Sequence, residues 1–120
     1  MSAEATLHAL LAGLVGSRIY PDVAKDGAAL PRIVYQQVGG ENITYLEGTL
    51  PDKENGRMQL TCWASTRAAA IALAKQVEAL ILAEPTFQAE ALGARVSTVE
   101  TDVDPYVYGC RQDFSIWTTR

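Results

Sequence analysis

A strand that leads directly into a helix is the feature of this chain that most constrains its fold. Residues Arg57–Ala64 alternate in polarity, with Met58, Leu60 and Cys62 on one face and Arg57, Gln59, Thr61 and Trp63 on the other. A strand with one apolar and one half-polar face is typical of an antiparallel sheet that is covered on one side. The sequence therefore predicts helices on one face of a sheet whose other face is open.

The helix that covers this strand is predicted to follow it at once. Ser65 or Thr66 can cap its first turn, and an alanine-rich segment then extends to about Ala83, just before Pro85. Alanine has the highest helix propensity and lets the helix backbone approach the sheet closely. The predicted core face of this helix consists of Ala70, Leu73, Ala74, Val77, Leu80 and Ile81.

A first helix is predicted near the start of the chain. Within Glu4–Leu14, leucine recurs at positions 7, 10, 11 and 14, which is the spacing of one helical face. Ser2 can cap the start of this helix, and Gly16 marks its end. We expect the leucine stripe to pack into the core.

Between the two helices the sequence predicts two paired strands and a loop. After a short strand at Ile19–Tyr20, Arg32–Val38 is the first long strand. Gly39–Asn42 is a hairpin turn, because glycine supplies the positive φ that such turns require, and Ile43–Leu46 returns as the second strand. The segment Glu47–Gly56 reads EGTLPDKENG, which is too long for a tight hairpin connection. We expect it to be a mobile loop or a binding loop.

The last third of the chain is rich in strands. Phe87–Leu92, Arg95–Val103 and Val107–Thr118 are the candidates, with Asp104-Pro105 as a break. In the final strand, alternation places Cys110, Gln112, Phe114 and Ile116 on the core face. The sum is an α+β fold, in which two main helices pack on one face of a largely antiparallel sheet. We expect a single domain that spans residues 1–120.

Composition limits the kinds of partner. With 120 residues, 48% of them hydrophobic and 20% charged, the chain is ordinary globular material. Its net charge of −4 disfavours nonspecific binding to duplex DNA, so no recognition of nucleic acid is expected. The N-terminus has no basic segment before its apolar residues, and no apolar stretch reaches the roughly 20 residues of a membrane span. We therefore expect cytosolic synthesis and no membrane partner.

The residues offer no catalytic constellation. His8 is the only histidine, which nearly excludes a histidine-based zinc site. Glu100, Asp102 and Asp104 fall on one side of a predicted strand, and this pattern fits a solvated strand end, an acidic contact surface or a site for a hard cation. Because no nucleophile stands beside a base, we expect no enzyme activity, no catalytic residues, no bound metal and no cofactor.

The two cysteines are expected to be core residues. Cys62 and Cys110 each lie in a predicted strand, and neither belongs to a Cys-x-x-Cys or Cys/His motif. Reduced cysteine behaves as a small apolar side chain. A disulfide requires the two strands to be neighbours with matched Cβ atoms.

Four segments together resemble a known family of small proteins from tailed phages. They are Arg18–Pro21, Leu30–Gln36, Leu60–Ala64 before the alanine-rich helix, and the closing segment Tyr108–Trp117. Their order and spacing are similar to those of the tail-component family, the tail-completion or tail-terminator proteins. The resemblance extends from about Leu7 to Trp117.

The resemblance implies a structural role. Members of the family are α+β proteins that close the tail tube at its head-proximal end and form the joint to the head connector, and related terminators act as hexameric rings. It implies that the partners are further copies of the chain, the major tail protein and the head connector. It also implies assembly in the host cytoplasm and a final location in the virion tail. A prophage in a bacterial chromosome is an equally possible source.

A ring requires two different patches on each copy that fit each other. We expect the open sheet face and the loop Glu47–Gly56 to supply them, with interface residues Thr49, Pro51, Asp52, Lys53, Glu54, Asn55, Arg57 and Trp63. Two alternatives stay open. One is a head–tail connector or neck protein, and the other is a small non-enzymatic binding module unrelated to virions.

Overall fold

The computed structural model describes residues 2–25, 27–43, 48 and 52–119. Within these ranges the chain forms two α-helices, α1 (Ala3–Leu11) and α2 (Arg67–Ala83). The Ser2 hydroxyl accepts a hydrogen bond from the Ala5 N–H, and the Thr66 hydroxyl accepts one from the Ala69 N–H. Both predicted caps are therefore confirmed. The predicted first helix continues only as a 3₁₀ turn over Ala12–Leu14.

Six strands form one sheet in the described ranges. They are β1 (Ile19–Pro21), β2 (Arg32–Gln37), β3 (Lys53–Ala64), β4 (Gln88–Ala91), β5 (Val96–Glu100) and β6 (Val107–Thr119). The order across the sheet is β1-β2-β3-β6-β4, and β5 also pairs with β6. All pairs are antiparallel except β1 with β2. The largely antiparallel α+β fold is thus confirmed.

The core lies between one sheet face and the two helices. Alternation along the strands directs Ile33 of β2, Leu60 of β3 and Phe114 of β6 to this face, and all three are buried. The helices contribute the buried residues Leu7, Leu11, Ala70, Leu73, Ala74, Val77 and Ile81. Leu80 packs against the same cluster while remaining partly accessible. The other face of the sheet, here called the open face, carries no helix of the described residues.

A bulge separates β4 from β5 along the same edge of β6. Ala91 lies opposite Phe114, and Val96 lies opposite Arg111, so four residues of the edge oppose two residues of β6. The buried Gln112 amide fills this gap, because its Nε2 donates to the Gly93 carbonyl at 3.0 Å and to the Glu78 carboxylate of α2 at 2.8 Å. This edge of the sheet therefore consists of two short strands, β4 and β5, and the Gln112 side chain links the bulge between them to α2.

The prediction of a loop over Glu47–Gly56 is wrong for its last four residues, Lys53–Gly56. Lys53–Gly56 form the first residues of β3 and pair with Ile116–Thr119 of β6. Their charged and glycine residues are poor strand formers, but pairing with a thirteen-residue neighbouring strand overrides local propensity. Residues 47 and 49–51 lie outside the described residues.

The predicted hairpin after β2 is also wrong where the structure can test it. The antiparallel partner of β2 is β3, with Ile33 opposite Cys62, and Ile43 belongs to no strand. Thr44–Leu46, the rest of the predicted second strand, lie outside the described residues. Gly39 and Gly40 do have positive φ angles. The segment 38–43 instead follows β3, since the Val38 N–H donates to the Arg57 carbonyl and the Arg57 N–H to the Gly39 carbonyl.

Candidate partner-binding site

The open face carries a groove of about 740 Å³. Its floor consists of the outward side chains of β2 and β3, which include Val34, Gln36, Gln59, Thr61 and Trp63. One wall is formed by residues 22–25, 27, 28 and 30 of the connection from β1 to β2, and the other is the connection from β5 to β6. A concave surface that combines apolar, aromatic and polar groups is suited to binding a segment of another protein.

Trp63 lies on the groove floor because Gly109 leaves room for its ring. The two residues are opposite each other in the β3–β6 register. A Cβ atom on Gly109 would lie 2.9 Å from the Trp63 ring and 2.9 Å from Thr98 Cγ2. Sequence reasoning missed this contact, since nothing in the sequence shows which residue of a distant strand faces Trp63.

Arg32 fastens one wall of the groove to the sheet. It lies opposite Trp63 in the β2–β3 register, and its Nη1 donates to the Ala28 carbonyl at 2.9 Å. Its Nε is shielded from solvent and has no hydrogen-bond acceptor among the residues that the structure describes. The groove therefore has the fixed Arg32 guanidinium beside the Trp63 indole.

An ion pair between β3 and β6 lies on the open face, outside the groove. The Arg57 guanidinium and the Asp113 carboxylate lie 2.9 Å apart, on neighbouring strands. Half of the Arg57 side chain is exposed, so this pair contributes at most about 1 kcal/mol to stability. The Arg57 guanidinium therefore remains half exposed at the surface.

Asn55 connects three parts of the chain. Its Nδ2 donates to the Ser115 hydroxyl at 2.9 Å, and its Oδ1 accepts from the Glu41 N–H at 2.8 Å. A Cβ atom on Gly40 would lie 2.5 Å from the Asn55 carbonyl oxygen, so the segment 38–43 needs glycine at that position. Asn55 is therefore a structural residue, although the sequence placed it in a mobile loop.

The structure divides the predicted interface residues between two places. Asp52 precedes β3, and Lys53, Glu54 and Asn55 begin it, whereas Trp63 lies near its far end. Ten residue steps of a strand separate Lys53 from Trp63 by about 33 Å. Thr49 and Pro51 lie outside the described residues. Of the predicted interface residues, only Trp63 lines the groove. Gln59 and Thr61 of the predicted open face, and Glu100 and Asp104 of the predicted acidic segment, line it as well, whereas the residues from the β1–β2 connection were not predicted.

The side chains that line the groove are suited to binding another protein. Among the described residues, no three His, Cys, Asp or Glu side chains converge well enough to hold a metal ion. The groove joins a tryptophan and a fixed arginine with uncharged polar groups and with the charged residues Asp22, Lys25, Glu100 and Asp104, a mixture that suits a surface that recognises another protein. No helix in the described part of the chain is long and apolar enough to cross a membrane.

The two cysteines are direct neighbours in the core. Cys62 lies opposite Cys110 in the β3–β6 register, and both are buried free thiols. The Arg57 carbonyl accepts a hydrogen bond from the Val38 N–H, directly after β2, so the odd-numbered residues of β3 direct their backbone polar groups to the β2 side and the even-numbered ones to β6. Cys62 and Cys110 therefore form a hydrogen-bonded pair, whose Cβ atoms lie about 5.5 Å apart, against about 3.8 Å in a disulfide.

Burial also keeps the two thiols protonated. It raises the pKa of the Cys62 thiol from 9.0 to about 12, with a smaller contribution from Cys110. Burial likewise raises the pKa of the Cys110 thiol, against the opposing effect of Arg95 and Arg67. Since the thiolate is the reactive form, both side chains are inert core residues in the folded protein.

Comparison with known proteins gives the chain its family. A search of curated proteins found no match. The family model described as Tail completion protein gp17 matches residues 1–119, which is nearly the whole sequence. The match agrees with the resemblance of the four segments and with the α+β fold. The chain therefore belongs to the phage family of tail completion protein gp17, a structural component of the virion tail.

Proposed function

We propose that this protein forms a hexameric ring that completes the tail tube at its head-proximal end and joins it to the head connector. The observation that carries the proposal is the family match over residues 1–119. Its partners are then further copies of itself, the major tail protein and the connector, and its assembly takes place in the host cytoplasm.

Two separate patches on the open side of the sheet support a ring. A head-to-tail ring needs two different surfaces on each copy. One is the groove around Trp63. The other is the opposite end of the open face, where Lys53–Arg57 extend beyond the strand partner that β2 provides for Met58–Trp63. The molecule is 56 Å long and about 26 Å across, so these patches are well separated.

A groove-blocking variant tests the proposal. Thr61 lies at the centre of the groove floor, and Thr61→Arg places a long charged side chain in the groove without changing the core face. We expect this variant to fold, to give no rings at tail ends in electron micrographs, and to fail to activate tails from a lysate that lacks the protein.

The matched control is Thr86→Arg, which adds the same side chain at an exposed turn after α2. It should complete tails like the natural protein. Full tail completion by Thr61→Arg would remove the groove from the mechanism. Rings without tail joining would keep the self-association and contradict the connector role.

A further inference from the structure

Strand β5 is an edge strand with both faces uncovered. It pairs with β6 on one side, and no described strand pairs with its other side. All five of its residues are exposed, and the apolar Val96 and Val99 are 49% and 46% exposed although they point to opposite faces. Helix α2 packs on β3, β4 and β6 instead. The fold therefore leaves the apolar side chains of β5 and its outer edge open to another chain.

The backbone of β5 shows which groups are free to pair. The Leu92 N–H donates to the Asp113 carbonyl at 2.9 Å, so the odd-numbered residues of β6 direct their polar groups to this edge. Their partners Val96, Thr98 and Glu100 consequently direct their backbone N–H and C=O groups to β6. Ser97 and Val99 direct their N–H and C=O groups outward, where an added strand would find them.

The other edge strands are shorter than β5 and carry features that oppose pairing, whereas β5 has only Glu100 at its end and the bulge before it. β1 has three residues and ends at Pro21, which has no N–H. β4 has four residues, carries Glu90 and is followed by the bulge at Gly93. The five residues of β5 read VSTVE, with three β-branched residues and no lysine or proline. Such an edge is a template for strand addition.

Charge decides what kind of strand fits. The exposed segment from Glu100 to Asp104 carries three carboxylates, and the sequence has no Lys or Arg from position 96 to 110. No ion pair among the described residues involves Glu100, Asp102 or Asp104. An added strand that bears lysine or arginine would neutralise these groups.

A second copy of this chain is a poor occupant of the edge. Its net charge is −4, and its own edge strands β1 and β4 contain no Lys or Arg. At the start of β3, Lys53 is followed by Glu54, and Arg57 is already paired with Asp113. Pairing two copies of β5 would place acidic segments near each other, which costs free energy. The complementary partner is a different protein with a basic extended segment.

We propose that β5 and the acidic segment Glu100–Asp104 form a docking edge that takes up a basic, extended strand of another protein by adding it to the sheet. Val96 and Val99 would contact apolar side chains on the two faces of the added strand. This edge is a second binding surface that shares Glu100 and Asp104 with one wall of the groove, and strand addition there does not depend on whether the chain forms a ring.

Hydrogen exchange of the full-length protein, followed by NMR, tests the inference. In the free protein we expect slow exchange at the amides of Val96, Thr98 and Glu100 and fast exchange at Ser97 and Val99. The probe is a short acetylated peptide of alternating Lys and Val. If it occupies nine-tenths of the edges, exchange at Ser97 and Val99 slows about tenfold, because amides exchange only from the open state.

Charge reversal provides the matched variants. The triple change Glu100→Lys, Asp102→Lys and Asp104→Lys should abolish the protection by the Lys/Val peptide. The control reverses three other exposed carboxylates, Glu4→Lys, Glu41→Lys and Asp52→Lys, and thus changes the net charge by the same amount. This control should retain the protection.

Three results would overturn the inference. The first is equal protection by a peptide of alternating Glu and Val, which would show that charge does not select the strand. The second is protection of Ser97 and Val99 that rises with protein concentration and needs no peptide, which would make a second copy the occupant. The third is no protection by the Lys/Val peptide at saturating concentration.

Discussion

At the scale of single residues, the paired thiols of Cys62 and Cys110 are expected to stay reduced and unreactive. The register places them side by side, but their hydrogen-bonded pairing holds the Cβ atoms too far apart for an unstrained disulfide. We predict that a thiol reagent finds no reactive cysteine in the folded protein at neutral pH and two after denaturation without reductant. A linked Cys62–Cys110 peptide in mass spectrometry would contradict this.

The raised pKa of Cys62 gives stability a defined dependence on pH. The folded state holds the thiol proton up to a pKa of about 12, whereas the unfolded thiol ionises near its ordinary value of 9.0. Between these values the unfolded state binds fewer protons, so the free energy of unfolding falls as pH rises. We predict a shallower fall for Cys62→Ala between pH 9 and 12. Denaturant melts at several pH values measure both slopes, and equal slopes would refute the burial effect.

Gly109 is a residue whose importance comes from the side chain opposite it. Gly109→Ala would bring a methyl group against the Trp63 ring, so we expect a destabilisation of about 1–3 kcal/mol and a shift of tryptophan fluorescence. Gly13→Ala is the control, because a Cβ at that position meets no atom within 4 Å. It should leave stability unchanged or raise it. An unchanged Gly109→Ala protein would mean that Trp63 does not lie over this glycine.

At the scale of elements, β6 is the strand on which the core depends. It pairs with β3, β4 and β5, and its Phe114 is among the largest fully buried side chains. We predict that Phe114→Ala lowers the free energy of unfolding by about 3–5 kcal/mol and that Leu73→Ala in α2 lowers it by about 2–5 kcal/mol. Tyr106→Ala, at an exposed position, should change it by less than about 0.5 kcal/mol. Denaturant melts that fail to separate these variants would contradict the core assignment.

Elements with strong local signals could be predicted from the sequence. The Thr66 cap, the alanine-rich helix and the alternation of β6 all follow from short-range patterns, and the structure confirms them. Lys53–Gly56 could not be predicted, because their strand conformation comes from β6, some sixty residues away. The shape of the groove could not be predicted for the same reason, because its floor combines β2 and β3 while its walls come from two connections that are distant in the sequence.

At the scale of the whole molecule, the fold separates stability from binding. The helices and one sheet face hold the apolar core, while the open face and the β5 edge keep their polar and exposed groups available. The groove and the β5 edge adjoin at Glu100 and Asp104, so both candidate binding surfaces lie away from the apolar core. That division suits a component that ends one polymer and connects it to another structure.

Electron microscopy of particles from a phage that lacks this gene tests the central claim most directly. We expect filled heads separated from tails, or tails of uncontrolled length, and restoration of joined virions when the natural protein is supplied from a plasmid. The Thr61→Arg protein should not restore them, whereas Thr86→Arg should. Normal, infectious virions from a clean deletion would contradict the role in tail completion.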